Sequence, residues 1–482
     1  MGYSELKKKT TVSLFWSFLD KFGEQALNFV SIFILMNIVS TTDYGLIGSL
    51  GVFTAVLPLF VDSGFGRALL NRKKVTPLEY NSMFYFNFGV SVILYLLIFL
   101  LIPYISDLFN TPREVLVPVA RVLFLGLIIN ALGLIHRTIL IKKADFKGMT
   151  KVNLTALTIA NIVAIIMALK GFGVWALVAQ ILLLAILRTI LLWFYSTWKP
   201  MLAFSLGVLK DFFAFSNKLL LASLISAITN NIYPSIIAVF YPMSQVAFYD
   251  RAKKYEDIPF NVLSNTYRSV SMLILSEIND QMERMKRVVR KMMKSIAFLS
   301  FPIAAILILI AEPVFYLFFR EKWLASVPYF QILTLAGMLA PFAFILNESF
   351  VAKEKSKFFL GIEIVKSVIL IALIFVFFPK GITGLAVSWV VYTVLTLVLS
   401  LILSKKLIYY SLLDFLKDVA PYFFAALVSM AVGYAATIKI ANDLLFILTG
   451  SVVTGLSYLL ICRMLKLEMA KEIKNWWVTR RK

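Results

Sequence analysis

A series of apolar stretches, each close to the roughly 20 residues a helix needs to cross the hydrocarbon core of a bilayer, constrains this chain more than any other feature. Bounded by charge, glycine or proline, they fall at 12–38, 45–62, 83–105, 115–136, 152–169, 174–195, 212–238, 256–277, 295–318, 325–352, 358–378, 382–404, 419–438 and 443–462. The chain therefore reads as an all-α integral membrane protein with about 14 transmembrane helices. Composition agrees, since 60% of the 482 residues are hydrophobic and 15% are charged, against about 45–50% and about 25% in soluble domains. Fourteen crossings take up roughly 280 residues. What remains is too short for a sizeable soluble domain, and a water-soluble enzyme of the usual kind is excluded.

One cysteine, Cys462, cannot form an intramolecular disulfide, and one histidine, His136, cannot by itself make a multi-histidine metal site. No metal or cofactor is expected. The net charge of +22 does not point to nucleic acid, because the basic residues form small groups between apolar runs rather than one patch. The start, MGYSELKKKTT, leads into a long polar-dotted helix, so no removable signal peptide is expected.

The spacing of those basic groups follows the membrane. With both termini placed in the cytoplasm, the inside segments hold 33 Lys plus Arg and the outside ends hold six, Arg113, Lys170, Arg320, Lys322, Lys380 and Lys439. The remainder fall in the helices, with Arg251, Lys253 and Lys254 counted with the eighth. This is a strong positive-inside bias. The eighth run, with Glu256, Asp257, Asn261, Asn265 and Arg268, scores poorly on hydropathy, but omitting it would reverse the bias for everything downstream.

The chain also repeats itself. VPVARVLFLG at 117 aligns with VPYFQILTLA at 327, and the same gap-free offset of 210 brings Lys143 onto Lys353, Lys147 onto Lys357 and KGFGVWAL at 170 onto KGITGLAV at 380. Two six-helix copies with even helix numbers enter from the same side, which makes a parallel repeat of two lobes facing one cavity. The expected organisation is a lobe at 1–205, a lobe at 206–405, and two extra helices with a basic tail at 406–482.

Ionisable groups at membrane depth cost about 2.5–3.5 kcal/mol each on insertion scales and normally face a watery cavity or a partner. Here they gather on three runs. In the first, Ser17, Asp20, Glu24 and Asn28 recur at helical spacing beside Lys21 and Gln25. The eighth carries a ladder of Asp250, Lys254, Asp257, Asn261, Ser264, Arg268 and Ser271, with Arg251 and Lys253 at its outer end. The seventh adds Asn217, Lys218, Asn230 and Asn231.

The expected substrate contacts are Lys21, Arg268, Lys254, Arg251, Lys218, Asn28, Asn261 and Asn230, lining a basic cavity for an anionic group. Arginine suits phosphate because its planar fork can donate two parallel hydrogen bonds. The alternative is that Asp20, Lys21, Glu24, Asp257 and Arg268 are structural ion pairs.

Other polar residues read more plainly. His136 is expected at a solvated helix end. Arg121, Arg188 and Lys366 are expected to snorkel or pair, Lys366 with Glu363. The basic run from Arg284 to Lys294 reads as a loop at the anionic inner leaflet. Trp16, Trp198 and Trp323 read as interface anchors. No Walker loop, HExxH or GxSxG string occurs, so neither ATP hydrolysis nor hydrolase chemistry is encoded by such a motif.

The stretches TDYGLIG at 42–48, DSGFGRALLN at 62–71, IKKADFKG at 141–148 and AFYDRAKKYEDIPFNVLSNTYRSV at 247–270 mark a family resemblance, which continues through FPIAAILILIAEPVFYLFFREKWLASVPYFQIL to Leu333 and KGITGLAV at 380–387. Carried by these, the chain resembles the Wzx-type polysaccharide flippases of the MOP superfamily, in particular the lipopolysaccharide-biosynthesis and colanic-acid exporter-like branch. The family more often has glutamine at the position of Asn71, a departure that leaves the assignment standing. The resemblance implies a MOP/MATE-like fold and a protein that is not an enzyme. It also implies transfer of an undecaprenyl-diphosphate-linked oligosaccharide from the cytoplasmic to the outer leaflet of the bacterial inner membrane by alternating access. Under it, Glu24, Asp20 and Asp257 are the carboxylates to test for ion coupling. A monomer working beside a polysaccharide polymerase and glycosyltransferases is implied as well. The alternatives are a MATE-like ion-coupled drug antiporter, a lipid II flippase, and a scaffold in an assembly machine. A cationic-drug site should be net acidic and aromatic, which these mixed stripes are not.

Overall fold

The computed structural model describes residues 3–72, 74–109, 111–278, 281–351 and 356–472. Among them are seventeen α-helices, two short 3-10 turns and no strand. The helices are α1 (Tyr3–Ile38), α2 (Thr41–Ser49), α3 (Gly51–Asp62), α4 (Phe65–Asn71), α5 (Pro77–Leu108), α6 (Arg113–Lys142), α7 (Phe146–Leu169), α8 (Val174–Tyr195), α9 (Leu206–Phe240), α10 (Met243–Glu277), α11 (Met282–Phe319), α12 (Val327–Gly337), α13 (Ala340–Val351), α14 (Ser356–Phe377), α15 (Gly381–Ile408), α16 (Leu412–Thr437) and α17 (Asp443–Met464). Lys353 and the last residues of the basic tail lie outside the described residues.

Eleven helical segments among the described residues are long and apolar enough to cross a membrane. One of them, Gly361–Ile408, is 48 residues long and is interrupted by the 3-10 turn Phe378–Lys380, so it supplies two crossings. Helices α1 and α10, 36 and 35 residues long, are not among the eleven, because the polar stripes dilute their hydropathy. Adding them gives the expected fourteen. The chain is a multi-pass membrane protein of the fold class its sequence announced. The second and tenth runs are each broken, at Leu50 and at 338–339.

One helix starts earlier than expected, and one expected loop turns out to be helix. Helix α10 starts at Met243, so the ladder from Asp250 onward is helical throughout. The basic run Arg284–Lys294 forms the first turns of α11 rather than a free loop at the leaflet. Four of its six charges are held by acids distant in sequence. Arg290 donates two bonds to Asp418 (2.8 and 2.7 Å), and Lys294 pairs with Glu468 (2.6 Å). Lys291 pairs with Glu472 (2.7 Å) and Lys286 with Asp414 (3.4 Å).

Helix starts follow ordinary capping rules. Thr76 and Glu79 form a capping box with Pro77 at the first turn of α5, and Ser411 with Asp414 does the same for α16. Arg72 also pairs with the buried Glu79. Thr76→Ala is expected to cost about 1 kcal/mol, read as a lower thermal midpoint in detergent; a variant as stable as the native chain would show that the box adds nothing. At the C-terminal end of α4, Lys142 donates to the carbonyls of Leu69 (2.8 Å) and Arg72, satisfying acceptors that the helix leaves free.

The chain forms two compact units, Met1–Ala247 and Phe248–Lys482. In the first, α8 packs on α6 and α7, α1 lies along α7, and α9 packs on α2, α3, α4 and α5. That packing puts α9 in the first unit, whereas the sequence repeat begins its second copy at 206. Helix α2 passes close to the start of α10: a Cβ on Gly45 would stand 1.8 Å from the Met243 carbonyl oxygen. The second unit has α15 against α12, α13 and α14, while α16 and α17 pack on α11. Phe298, Phe301, Tyr422, Tyr458 and Cys462 belong to one extended buried cluster of this unit. Gly171 and Gly381, 210 residues apart like the repeat, both take positive φ, +80° and +70°, at the turn before the last helix of each copy.

Candidate functional site

The first unit holds a cavity of about 650 Å³ at one end of its helices. Lys21 and Glu24 of α1 line it, with Asp62 at the end of α3, Arg137 near the end of α6, Asn153 at the start of α7, and Arg188 towards the end of α8. Three cations and two carboxylates thus share one space. Glu24 pairs with Lys21 at 3.2 Å and with Arg188 at 3.5 Å. Asp62 accepts from the Gly66 amide at 3.0 Å and so serves the turn into α4.

Part of the polar face of α1 is turned to its neighbours. Asp20 accepts from the Asn153 side-chain amide at 3.2 and 3.3 Å, tying α1 to α7. Further along, Asn161 donates to the Leu27 carbonyl (3.4 Å), and Gln180 of α8 donates to Asn161 (2.8 Å) and Ser31 (3.0 Å). The stripe therefore divides between holding helices together and lining a cavity. Asn28 and Asn230 are not among the lining residues; Asn230 donates to Ser226 at 3.3 Å. Lys218 falls on α9.

In the second unit the charges of α10 pair along their own helix. Asp250 accepts from Arg251 (2.8 Å) and Lys254 (2.9 Å), and Lys253 bridges Glu256 (2.9 Å) and Asp257. Such pairs at three and four residues satisfy charge locally. Lys253 also sits 5.2 Å from the centre of the Trp389 ring. Glu256 is buried against α12, where a Cβ on Gly337 would lie 1.8 Å from its Oε1, so a methyl group there would push the carboxylate aside. Asn261 and Arg268 lie further along on exposed positions, Arg268 with its guanidinium 4.9 Å from the Phe344 ring.

Among the expected contacts, Lys21 and Glu24 meet in one cavity with Asp20 behind them, and Arg251, Lys254 and Asp257 belong to one ion-pair ladder. Sequence reasoning passed over Arg137, Asp62 and Asn153, and expected Arg188 only to snorkel or pair. Arg188 does pair, with Glu24, and Lys366 pairs with Glu363 at 2.9 Å. The available signal was that Arg188 stands alone in LLLAILRTILLW, a charge at membrane depth that by itself asks for a function.

Two readings need correction. His136 is buried rather than solvated, its ring 4.6 Å from Trp193 and 5.2 Å from Trp198, with neither nitrogen hydrogen-bonded. Its covering residues come from α8 and the segment after it, more than fifty positions on. Trp323 is likewise fully buried, against Phe248, and does not mark an interface.

A family profile described as "polysaccharide biosynthesis protein" matches residues 34–328. A Klebsiella pneumoniae protein described as an uncharacterized membrane protein in the cps region is 27% identical over 82% of each chain. The lipopolysaccharide biosynthesis protein WzxC of Escherichia coli is 22% identical over 91% of this chain and 90% of its own. Among solved structures, the lipid II flippase MurJ in an inward closed conformation superposes with a TM-score of 0.77 at 17% identity, over 94% of this chain and 98% of that one. An inward-facing multidrug-resistance MATE transporter of the MOP superfamily gives 0.65 at 18%, over 80% and 94%. These two likenesses establish a shared fold.

Proposed function

This chain belongs to the polysaccharide biosynthesis protein family, and from that premise we propose that it is a flippase carrying undecaprenyl-diphosphate-linked oligosaccharide from the cytoplasmic to the outer leaflet of the bacterial inner membrane. The carrying observation is the cavity of the first unit, where Lys21, Arg137 and Arg188 face one space of about 650 Å³. A diphosphate needs cations in a sheltered place, and arginine supplies a planar fork for it. A site for organic cations would call instead for a net acidic lining. The name of WzxC, a lipopolysaccharide biosynthesis protein, points the same way.

The cavity is formed by the last turns of α3, α6 and α8 and the first turns of α7. Those are the ends that the positive-inside bias assigns to the cytoplasm, with both termini on that side. The load would enter where lipid-linked sugars are made. Two parallel lobes, 1–205 and 206–405, would then alternate access, with 406–482 appended. Arg268, Lys254, Arg251, Lys218, Asn28, Asn261 and Asn230 are proposed to contact the load beside Lys21. Asp20, Glu24 and Asp257 are proposed for ion coupling, and the protein is proposed to act as a monomer beside a polymerase and glycosyltransferases.

The test is transport of a labelled undecaprenyl-diphosphate oligosaccharide across proteoliposomes. The native protein is expected to move it, and Lys21→Ala and Arg268→Ala, folded by size exclusion, to lose most of that activity. Organic-cation efflux by a native protein that leaves the glycan lipid in place would overturn the reading. Preference for lipid II over other glycan lipids would move the protein to the lipid II branch.

A further inference from the structure

The pairing around Glu24 has a consequence for how the cavity takes and releases its load. In this cavity, Lys21 and Arg188 both direct their charge at the one Glu24 carboxylate, at 3.2 and 3.5 Å. Lys21 and Glu24 stand one turn apart on α1, and Arg188 reaches the same carboxylate from α8. No structural economy requires the same carboxylate to serve both. Asp20 is taken up by Asn153, and Asp62 by the Gly66 amide. Arg137 lines the same space and adds a like charge to that of Arg188.

We infer that Glu24 is a built-in counter-anion, holding Lys21 and Arg188 in place of the substrate's phosphate and competing with it for both. The inference rests on the flippase reading of this cavity and deepens it. An arginine at membrane depth without an anion is costly, so an empty carrier needs a resident negative charge to return without its load. A diphosphate, carrying more charge than one carboxylate, can displace Glu24 from both cations. Once it has done so, the displaced carboxylate stands next to the bound anion and repels it. The same residue therefore stabilises the empty cavity and weakens the filled one. A carrier must let go on the far side, and binding that is too tight slows release.

The chemistry makes a prediction opposite to that for an ordinary binding residue. Substituting a substrate ligand weakens binding; substituting a competitor tightens it. With two partly exposed pairs given up, Glu24→Gln is expected to bind undecaprenyl diphosphate about tenfold more tightly than the native chain. In proteoliposomes it should lower both KM and kcat for the glycan lipid, because loading improves while release slows. Glu24→Ala, which also removes the amide, should shift binding in the same direction and serves if the glutamine variant does not fold. Arg188→Ala should weaken binding in the native and in the Glu24→Gln background alike.

The experiment is equilibrium binding of undecaprenyl diphosphate to the full-length native protein and these variants in nanodiscs, followed by transport kinetics on the same preparations. Tighter binding together with slower turnover supports the inference. Binding in both Glu24 variants that is no tighter than native overturns it and leaves the flippase reading in place. No diphosphate binding by the native protein overturns both. A purely structural Glu24 would lower thermal stability and weaken binding without lowering KM.

Discussion

Asp418→Ala is expected to lose about 3 kcal/mol of stability, seen as a lower midpoint in detergent unfolding of the purified protein. The carboxylate is only 4% exposed and accepts two parallel bonds from Arg290, a further approach from Lys294 (3.5 Å) and the Tyr410 hydroxyl (3.4 Å). Removing it strands those donors. The loss sits at the lower end for a broken buried pair, because Arg290 keeps 38% side-chain exposure and can take up water. Replacing both partners, Arg290→Met with Asp418→Leu, should cost less than Asp418→Ala alone, since no charge is left behind. A single variant within 1 kcal/mol of native would mean that the anchorage of α11 to α16 lies elsewhere, in the apolar cluster that contains Phe298, Phe301 and Tyr422.

Gly45→Ala is expected to be comparably damaging, for a steric reason. A methyl group there would meet the Met243 carbonyl oxygen at 1.8 Å and its carbon at 2.5 Å. Both are backbone atoms, so no side chain can swing away, and α2 or the start of α10 must shift. Overpacking of this kind costs about 3 kcal/mol or more when the neighbour cannot give. The measurement is yield of folded protein by size exclusion, with Gly51→Ala as the comparison, since nothing stands within 4 Å of a Cβ there. Equal yields from the two would show that the helices separate more easily than their packing implies.

Much of the fold was legible, and charge did more of the work than hydropathy. Helices α1 and α10 miss the apolar criterion, yet parity of the Lys and Arg groups requires α10. Family-resemblance motifs also explain themselves locally. In TDYGLIG, Asp43 donates its amide to the Ser40 cap of α2 and accepts from the Ser40 hydroxyl, and Gly45 allows the close passage; in KADFKG, Asp145 caps α7 by accepting from the Gly148 amide at 2.9 Å. These two motifs record turns and crossings.

What escaped the sequence were partners far along the chain. The run Arg284–Lys294 resembles a leaflet-bound loop until Asp414, Asp418, Glu468 and Glu472 are seen beside it. His136 looks solvated until Trp193 and Trp198 cover it. The cavity was half visible: the stripe on α1 gave Lys21 and Glu24, whereas Arg137 and Arg188 were single charges with no periodicity to connect them. Only tertiary packing brings α6 and α8 to the same space.

The lone native thiol offers an experimental opening. Cys462 is fully buried with Tyr458 and Phe298 in the second unit's core. Towards maleimide reagents the folded chain should behave as though it had no cysteine at all. A cysteine introduced at Leu70, an exposed residue of the cavity lining in the first unit, would then be the sole reactive handle. Its labelling rate would follow access to the cavity in real time, without first rebuilding the protein on a cysteine-free background.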